Sequence, residues 1–97
     1  MAMTPEGKVK KRVKDILDAL GIYHFSPFQA GMGRAGIPDI IACCNGHFIA
    51  FECKAGKGKT TALQEREINA IRKAGGMAYV INEDNMADIK ELLQWMR

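Results

Sequence analysis

The chain has 97 residues, of which 47% are hydrophobic and 26% charged, a composition typical of one small globular domain rather than a disordered segment. No apolar run approaches the ~20 residues of a membrane-spanning helix, and no long apolar stretch follows the basic N-terminus as in a secretory signal. The formal net charge is +3, but it is unevenly spread, with an excess of basic residues near the N-terminus. We expect one domain over residues 1–97, intracellular and without a membrane partner.

The first predicted element is a basic helix that starts at Thr4, with Pro5 at the first helical position and Glu6 in the first turn. Apolar residues then recur at helical spacing, and Gly21 predicts the end of the helix. Five basic residues lie between positions 8 and 14, where they would suit a polyanion such as nucleic acid. A solvated helix face explains the same charges more simply.

Three strands are predicted next. Residues 22–28 are rich in aromatic side chains and are interrupted by Pro27, which favours an irregular or edge strand. A flexible, glycine-rich loop follows at residues 29–36, and then strands at residues 38–44 and 47–54. Between these two strands lies Asn45-Gly46, the dipeptide most typical of a two-residue hairpin turn.

The remaining elements complete a layered α/β fold. A basic connector at residues 55–59 precedes a helix at about residues 61–74, a strand at residues 77–82 and a last helix at about residues 84–96. Because a right-handed crossover helix leads to the last strand, that strand should lie parallel to its neighbour. The prediction is an α/β (α+β) fold with element order α-β-β-β-α-β-α and a mixed sheet flanked by helices.

The hairpin turn brings charged residues together at one end of an apolar hairpin. Counting outward from the turn, Asp39 falls opposite Glu52, and Lys54 shares their face. Two opposed carboxylates repel each other, so either one is protonated or a cation lies between them. Oxygen ligands of this kind suit Mg²⁺ or Mn²⁺. A cluster in which Lys54 neutralises one acid is an equally open alternative.

The cysteines and the glycine-lysine stretch do not indicate other cofactors. Cys43, Cys44 and Cys53 lie in apolar runs without the spacing of a zinc site, so we expect reduced core residues in a reducing compartment. The stretch "GKGKT" at residues 56–60 is similar to the end of a Walker A loop. Its first glycine would have to stand where Cys53 is, which excludes a nucleotide cofactor there.

These residues also resemble a known family of nucleases. Pro38-Asp39 followed by Glu52-Cys53-Lys54 resembles the motif of the PD-(D/E)XK nuclease superfamily. The surrounding residues resemble its VRR-NUC (virus-type replication-repair nuclease) branch from about residue 4 to residue 82: Gly36, Gly46, the basic connector, Gln64 and Gly75-Gly76. The resemblance implies a restriction-endonuclease-like core in a minimal, free-standing domain.

The resemblance also implies roles for the central residues. Asp39, Glu52 and the backbone carbonyl of Cys53 would bind the divalent metal, Mg²⁺ or Mn²⁺. Lys54 would orient or activate the attacking water. The implied reaction is metal-assisted hydrolysis of a DNA phosphodiester.

Further residues would surround this centre. The resemblance implies that Glu6 reaches the site from the first helix, through metal-bound water, and that Gln64 steadies the site near Lys54. By composition alone, Glu6 is more simply a residue that favours the helix dipole, and Gln64 a surface residue. Five basic residues could contact DNA phosphates, although each alone could be merely solvated: Lys8, Lys11, Arg34, Lys57 and Lys59.

The expected partners follow from the same resemblance. Viral and bacterial members are similar to Holliday-junction resolvases, which implies a homodimer that cuts branched DNA in the cytoplasm of a bacterial or phage-infected cell. Two alternatives stay open: a restriction-type nuclease that cuts a duplex sequence, and a non-catalytic nucleic-acid-binding module. The first differs in substrate preference, and the second would not need metal binding by Asp39 and Glu52.

Overall fold

A computed structural model describes residues 3–28 and 34–97 of the chain. Residues 29–33 of the predicted flexible loop lie outside the described residues. Within the described part the elements follow the predicted order: α1 (Pro5–Ala19), β1 (Tyr23–Phe25), β2 (Ile40–Cys44), β3 (His47–Cys53), α2 (Ala62–Lys73), β4 (Met77–Ile81) and α3 (Met86–Met96). None of the helices in these residues is both long and apolar enough to cross a membrane.

The strands form one mixed sheet in the order β1-β2-β3-β4. Strand β2 is antiparallel to β1 and to β3, whereas β4 is parallel to β3. The parallel pair is the consequence of the α2 crossover, because a strand reached through a helix returns in the same direction. The mixed sheet, and the position of β1 at its edge, are as predicted.

The β2–β3 hairpin has the predicted turn. Asn45 and Gly46 both have positive φ angles, 51° and 84°, as a type I′ turn requires. The predicted register is confirmed for five pairs, from Cys44 with His47 to Ile40 with Phe51. The twist of such a turn matches that of the strands, so it fixes which residues face one another.

Strand β2 begins at Ile40, two residues later than predicted. Continued pairing would next join Pro38 to Cys53 by hydrogen bonds, since bonded pairs alternate along an antiparallel ladder. Proline has no N–H to donate, and the N–H of Cys53 donates instead to Oδ2 of Asp39 at 2.8 Å. Asp39 therefore lies just outside the ladder, with its side chain in the place of a backbone acceptor.

Helices cover both faces of the sheet. The larger core contains apolar residues of α1 and α3 packed on one face, with Leu17, Phe51 and Leu93 among its buried members. On the other face, Ile68 of α2 packs against Ala50 and Ala78. The alternation of side chains along each strand supplies both cores, so the sheet lies between two helical layers.

One cysteine prediction is wrong. Cys44 and Cys53 are buried, as expected, but Cys43 is exposed. Cys43 pairs with Tyr23 on one side and with Phe48 on the other, and both aromatic residues are exposed. These residues lie on the α2 side of the sheet, in β1, in β2 and at the turn end of β3, whereas α2 contacts mainly β4 and packs Ile68 against Ala50 further along β3. We call Tyr23, Phe25, Cys43 and Phe48 the aromatic face.

Candidate active site

The two predicted acids meet at the end of the hairpin. Glu52 lies in β3 and is only 3% exposed, whereas Asp39 precedes β2 and is partly buried. The backbone N–H of Cys53 holds the Asp39 carboxylate in place at 2.8 Å. The site is therefore built on a strand and its immediate neighbour, where side-chain positions are well determined by backbone hydrogen bonds.

Burial of Glu52 changes its acidity. Loss of solvent raises the pKa of Glu52 to about 8, and a hydrogen bond with Asp39 and the charge of Asp39 act in the same direction. The positive charge of Lys54 opposes this rise without cancelling it. At neutral pH the Glu52 carboxyl thus keeps a proton unless a cation compensates for its charge.

Lys54 lies between two carboxylates. Its Nζ is 3.9 Å from Oε2 of Glu52 and 3.9 Å from Oε1 of Glu6. Glu6 is in the first turn of α1, so this helix brings a charged group next to Lys54. Both distances exceed those of direct hydrogen bonds, which leaves the ammonium donors available to a further acceptor.

Gln64 connects α2 to the buried acid. Its Nε2 donates to Oε2 of Glu52 at 3.3 Å, and its Oε1 accepts from the backbone N–H of Thr61 at 2.9 Å. The backbone N–H of Gln64 in turn donates to Oγ1 of Thr61 at 3.2 Å, which completes a capping box. Gln64 was expected near Lys54. In the structure the Gln64 amide contacts Glu52, whose carboxylate lies 3.9 Å from Nζ of Lys54.

The donor set suits a hard divalent cation. Glu52 and Asp39 offer carboxylate oxygens in a buried place where their charge needs compensation. Within residues 3–28 and 34–97, no three side chains of His, Cys, Asp or Glu are grouped to hold a metal. Other ligands would therefore be backbone carbonyl, water or substrate oxygens, which is usual for Mg²⁺.

The predicted DNA-contacting lysines lie on the surface. Lys8, Lys11, Lys57 and Lys59 are all exposed. Lys11 forms an ion pair with Asp15 at 2.8 Å, one helical turn away. The other three have no ion pair among the described residues, so their charges are directed to solvent.

Arg34 has a partner in α2 that no spacing along the sequence indicated. Its Nε and Nη2 donate to the two carboxylate oxygens of Glu67, each at 2.9 Å. These contacts raise the pKa of Arg34 and lower the pKa of Glu67. Glu67 follows Gln64 by three residues on α2, which places both on one side of the helix. That spacing was readable from the sequence, but the identity of their partners was not.

The comparisons with known proteins agree with this architecture. Residues 8–94 match the family model described as archaeal Holliday junction resolvase (Hjc). A solved structure described as a VRR_NUC domain protein superposes with a TM-score of 0.70 and 19% sequence identity, over 99% of this chain and 90% of that one. At this identity the likeness concerns the fold. No curated protein gave a significant match.

The family match covers nearly all the elements described above, from the basic helix α1 to α3. Nucleases of this family depend on divalent metal ions. The chain belongs to the Hjc family of archaeal Holliday junction resolvases, a family of nucleases with the PD-(D/E)XK type of fold.

Proposed function

We propose that this protein is a divalent-metal-dependent endonuclease that hydrolyses phosphodiester bonds in branched DNA, with four-way junctions as its preferred substrate. The observation that carries the proposal is the convergence of Asp39, Glu52 and Lys54 at one end of the hairpin. The family supplies the class of substrate. Ion pairing alone would not require two acids so close together in a buried place.

Asp39, Glu52 and the backbone carbonyl of Cys53 would hold Mg²⁺ or Mn²⁺. The ion would supply Lewis-acid stabilisation of the negative charge that develops on the phosphate. The raised pKa of Glu52 fits this assignment, because burial and the neighbouring Asp39 disfavour the ionised form that a bound cation would stabilise. Gln64 keeps Oε2 of Glu52 in a defined orientation.

Lys54 would orient the attacking water and stabilise the charge on the phosphate oxygens. Its Nζ, 3.9 Å from both Glu52 and Glu6, lies between two acceptors and is not bound tightly by either. Glu6 would accept a hydrogen bond from water at the edge of the site, since its side chain is 53% exposed. This role is one of positioning.

The exposed lysines would bind the DNA backbone. Lys57 and Lys59 lie in the connector that follows Lys54, and Lys8 and Lys11 are on the helix that carries Glu6. Contacts with phosphate give affinity without sequence specificity. A surface of this kind suits recognition of DNA shape better than recognition of a duplex sequence.

A homodimer would present two such sites to the two symmetric strands of a junction. The aromatic face supports self-association, because Tyr23 is 71% exposed and Phe48 is 47% exposed on one side of the sheet. Sedimentation analysis should give a dimer for the native chain and a shift to monomer for the Tyr23→Ser/Phe48→Ser variant. A native chain that is monomeric at assay concentration would contradict this part of the proposal.

Cleavage of matched four-way-junction, flap and duplex DNA with Mn²⁺ tests the function. We expect the junction to be cut fastest, and Asp39→Asn or Lys54→Ala to lose at least ~100-fold in rate. Lys90→Ala, which changes an exposed lysine of α3, is the matched control. Undiminished cleavage by Asp39→Asn would refute the mechanism, whereas a preference for one duplex sequence would favour the restriction-type alternative.

A further inference from the structure

We propose that Arg34 and Glu67 are positioning residues that hold the segment leading to Asp39 against helix α2, and that α2 thereby sets the placement of both acids of the site. The inference rests on the proposed function, because it takes Asp39 as a working acid. It gives Arg34 a role distinct from binding a phosphate.

The contact between Arg34 and Glu67 is two-pronged. The guanidinium Nε and Nη2 each lie 2.9 Å from a different carboxylate oxygen, the parallel arrangement that gives arginine its directional strength. The Glu67 side chain is 9% exposed and that of Arg34 is 68% exposed. The carboxylate is thus anchored in the protein, and the arginine reaches back to it from the loop. Arg66 Nε, 3.6 Å from Oε2 of Glu67, adds a second positive charge.

The backbone after Arg34 lies directly on α2. A Cβ atom on Gly36 would be 2.5 Å from the carbonyl carbon and oxygen of Leu63, closer than real contacts allow. Gly36 also has a φ of +77°, which side chains other than glycine's rarely permit. Nη2 of Arg66 lies 3.5 Å from the carbonyl oxygen of Ala35. Three successive residues, 34 to 36, therefore contact one turn of the helix.

This arrangement makes α2 a common frame for the two acids. Gln64 holds Glu52 from the first turn of α2, and Glu67, one turn further on, holds the segment that ends at Asp39. Only Ile37 and Pro38 separate Gly36 from Asp39, and the proline restricts the backbone there. Because a misplacement of about 1 Å in a catalytic group can lower the rate about 100-fold, a poorly held segment before Asp39 would slow the reaction.

A phosphate contact predicts different behaviour. If Arg34 bound DNA, Glu67 would compete with the phosphate, and its removal would leave junction affinity unchanged or improve it. If Arg34 and Glu67 act together, removal of either partner loosens the same loop. The effects of the two substitutions should then be non-additive, since the second substitution has no contact left to remove.

The test compares Arg34→Gln, Glu67→Gln, the double variant and the charge-swapped Arg34→Glu/Glu67→Arg pair. Each single variant should cut junction DNA about tenfold more slowly under single-turnover conditions while its junction Kd stays unchanged. The double variant should be no slower than the slower single variant, and the swapped pair should recover part of the rate. Calorimetry with Mn²⁺ alone should show weaker binding in the single variants. Glu91→Gln, an exposed acid of α3, is the matched control.

The opposite results are equally specific. One result would assign Arg34 to a phosphate and overturn the proposal. In that result Arg34→Gln binds the junction more weakly, and the slope of log affinity against log salt concentration falls by about 1, while Glu67→Gln is unaffected. The proposal would also be overturned if the native protein cuts junction DNA and the variants cut it at the native rate. If the native protein cuts no DNA, that result would refute the proposed function instead. If Glu67→Gln does not fold, Arg34→Lys replaces it in the test. Lysine keeps the charge but cannot form the two parallel hydrogen bonds, so this variant should show the same loss of rate.

Discussion

Gln64 joins helix α2 to the buried acid Glu52 by a hydrogen bond of 3.3 Å from its Nε2 to Oε2 of Glu52. The same side chain accepts the N–H of Thr61, so its two ends serve two purposes. One end closes the helix cap, and the other orients a carboxylate of the site. The start of the helix is thereby fixed relative to the chemistry.

Gln64→Glu should separate these two purposes. Glutamate still accepts the N–H of Thr61 but cannot donate to Glu52, so the cap persists while the contact with the acid is lost. The cleavage rate should fall about tenfold or more, because a hydrogen bond to a charged group is worth about 1.5–3 kcal/mol. Single-turnover rates and circular dichroism measure the two effects. Gln94→Glu, on the exposed side of α3, should change neither, and a fully active Gln64→Glu enzyme would contradict the assignment.

The raised pKa of Glu52 predicts a pH-dependent stability in the presence of a chelator. Between the ordinary value of 4.5 and the folded value of about 8, the folded chain holds a proton that the unfolded chain has released. The free energy of unfolding should therefore decrease as pH rises through this range. Urea denaturation of the native chain and of Glu52→Gln, at a series of pH values, isolates this contribution. A stability difference between the two that does not change with pH would rule it out.

Metal binding should release the proton that Glu52 holds in the metal-free protein. Because a cation must displace the proton of Glu52, the affinity for Mn²⁺ should rise between about pH 6 and about pH 8. Calorimetry in buffers of different ionisation enthalpy should detect the released proton. Asp39→Asn should abolish binding, while Glu83→Gln, which changes an acid bound to the N–H of Gly56, should retain it. Binding that persists in Asp39→Asn would place the metal elsewhere.

Gly36→Ala should destabilise the protein more than a comparable glycine substitution. Gly21 and Gly36 both have positive φ angles, but an added Cβ meets nothing within 4 Å at Gly21 and meets Leu63 at 2.5 Å at Gly36. Gly21→Ala should cost about 1–2 kcal/mol for backbone strain alone. Gly36→Ala should cost a further ~1–3 kcal/mol for the overlap. Equal losses in urea denaturation would show that the loop does not lie on α2.

Cys43 should be the cysteine that reacts in the folded protein. It is exposed, whereas Cys53 is fully buried and burial raises the pKa of its thiol to about 12. Alkylation of the Tyr23→Ser/Phe48→Ser variant with iodoacetamide, in which no second subunit covers the aromatic face, should modify Cys43 alone as detected by mass spectrometry. The same variant with Cys43→Ser added should remain unmodified. Modification of all three cysteines in denaturant is the control. Rapid labelling of Cys53 under native conditions would contradict the described sheet.

The elements of the fold were readable because their signals are local. The Asn45-Gly46 turn predicted the register of the hairpin, and Thr4 with Pro5 predicted the start of α1. The errors lie where a distant group competes. Strand β2 starts late because the Asp39 side chain takes the N–H of Cys53, a contact between residues 14 positions apart. The exposure of Cys43 depends on which strands α2 covers, which no local pattern encodes.

In the candidate site too, some features follow from the local sequence and others depend on tertiary packing. The sequence alone determined that Asp39, Glu52 and Lys54 share one end of a hairpin, because a two-residue turn and a period of two leave little freedom. Only the tertiary structure decided that Gln64 contacts Glu52 and that Arg34 pairs with Glu67. These partners come from separate elements, and the packing of α2 against the sheet and the loop, rather than any spacing along the chain, brings them within hydrogen-bonding distance.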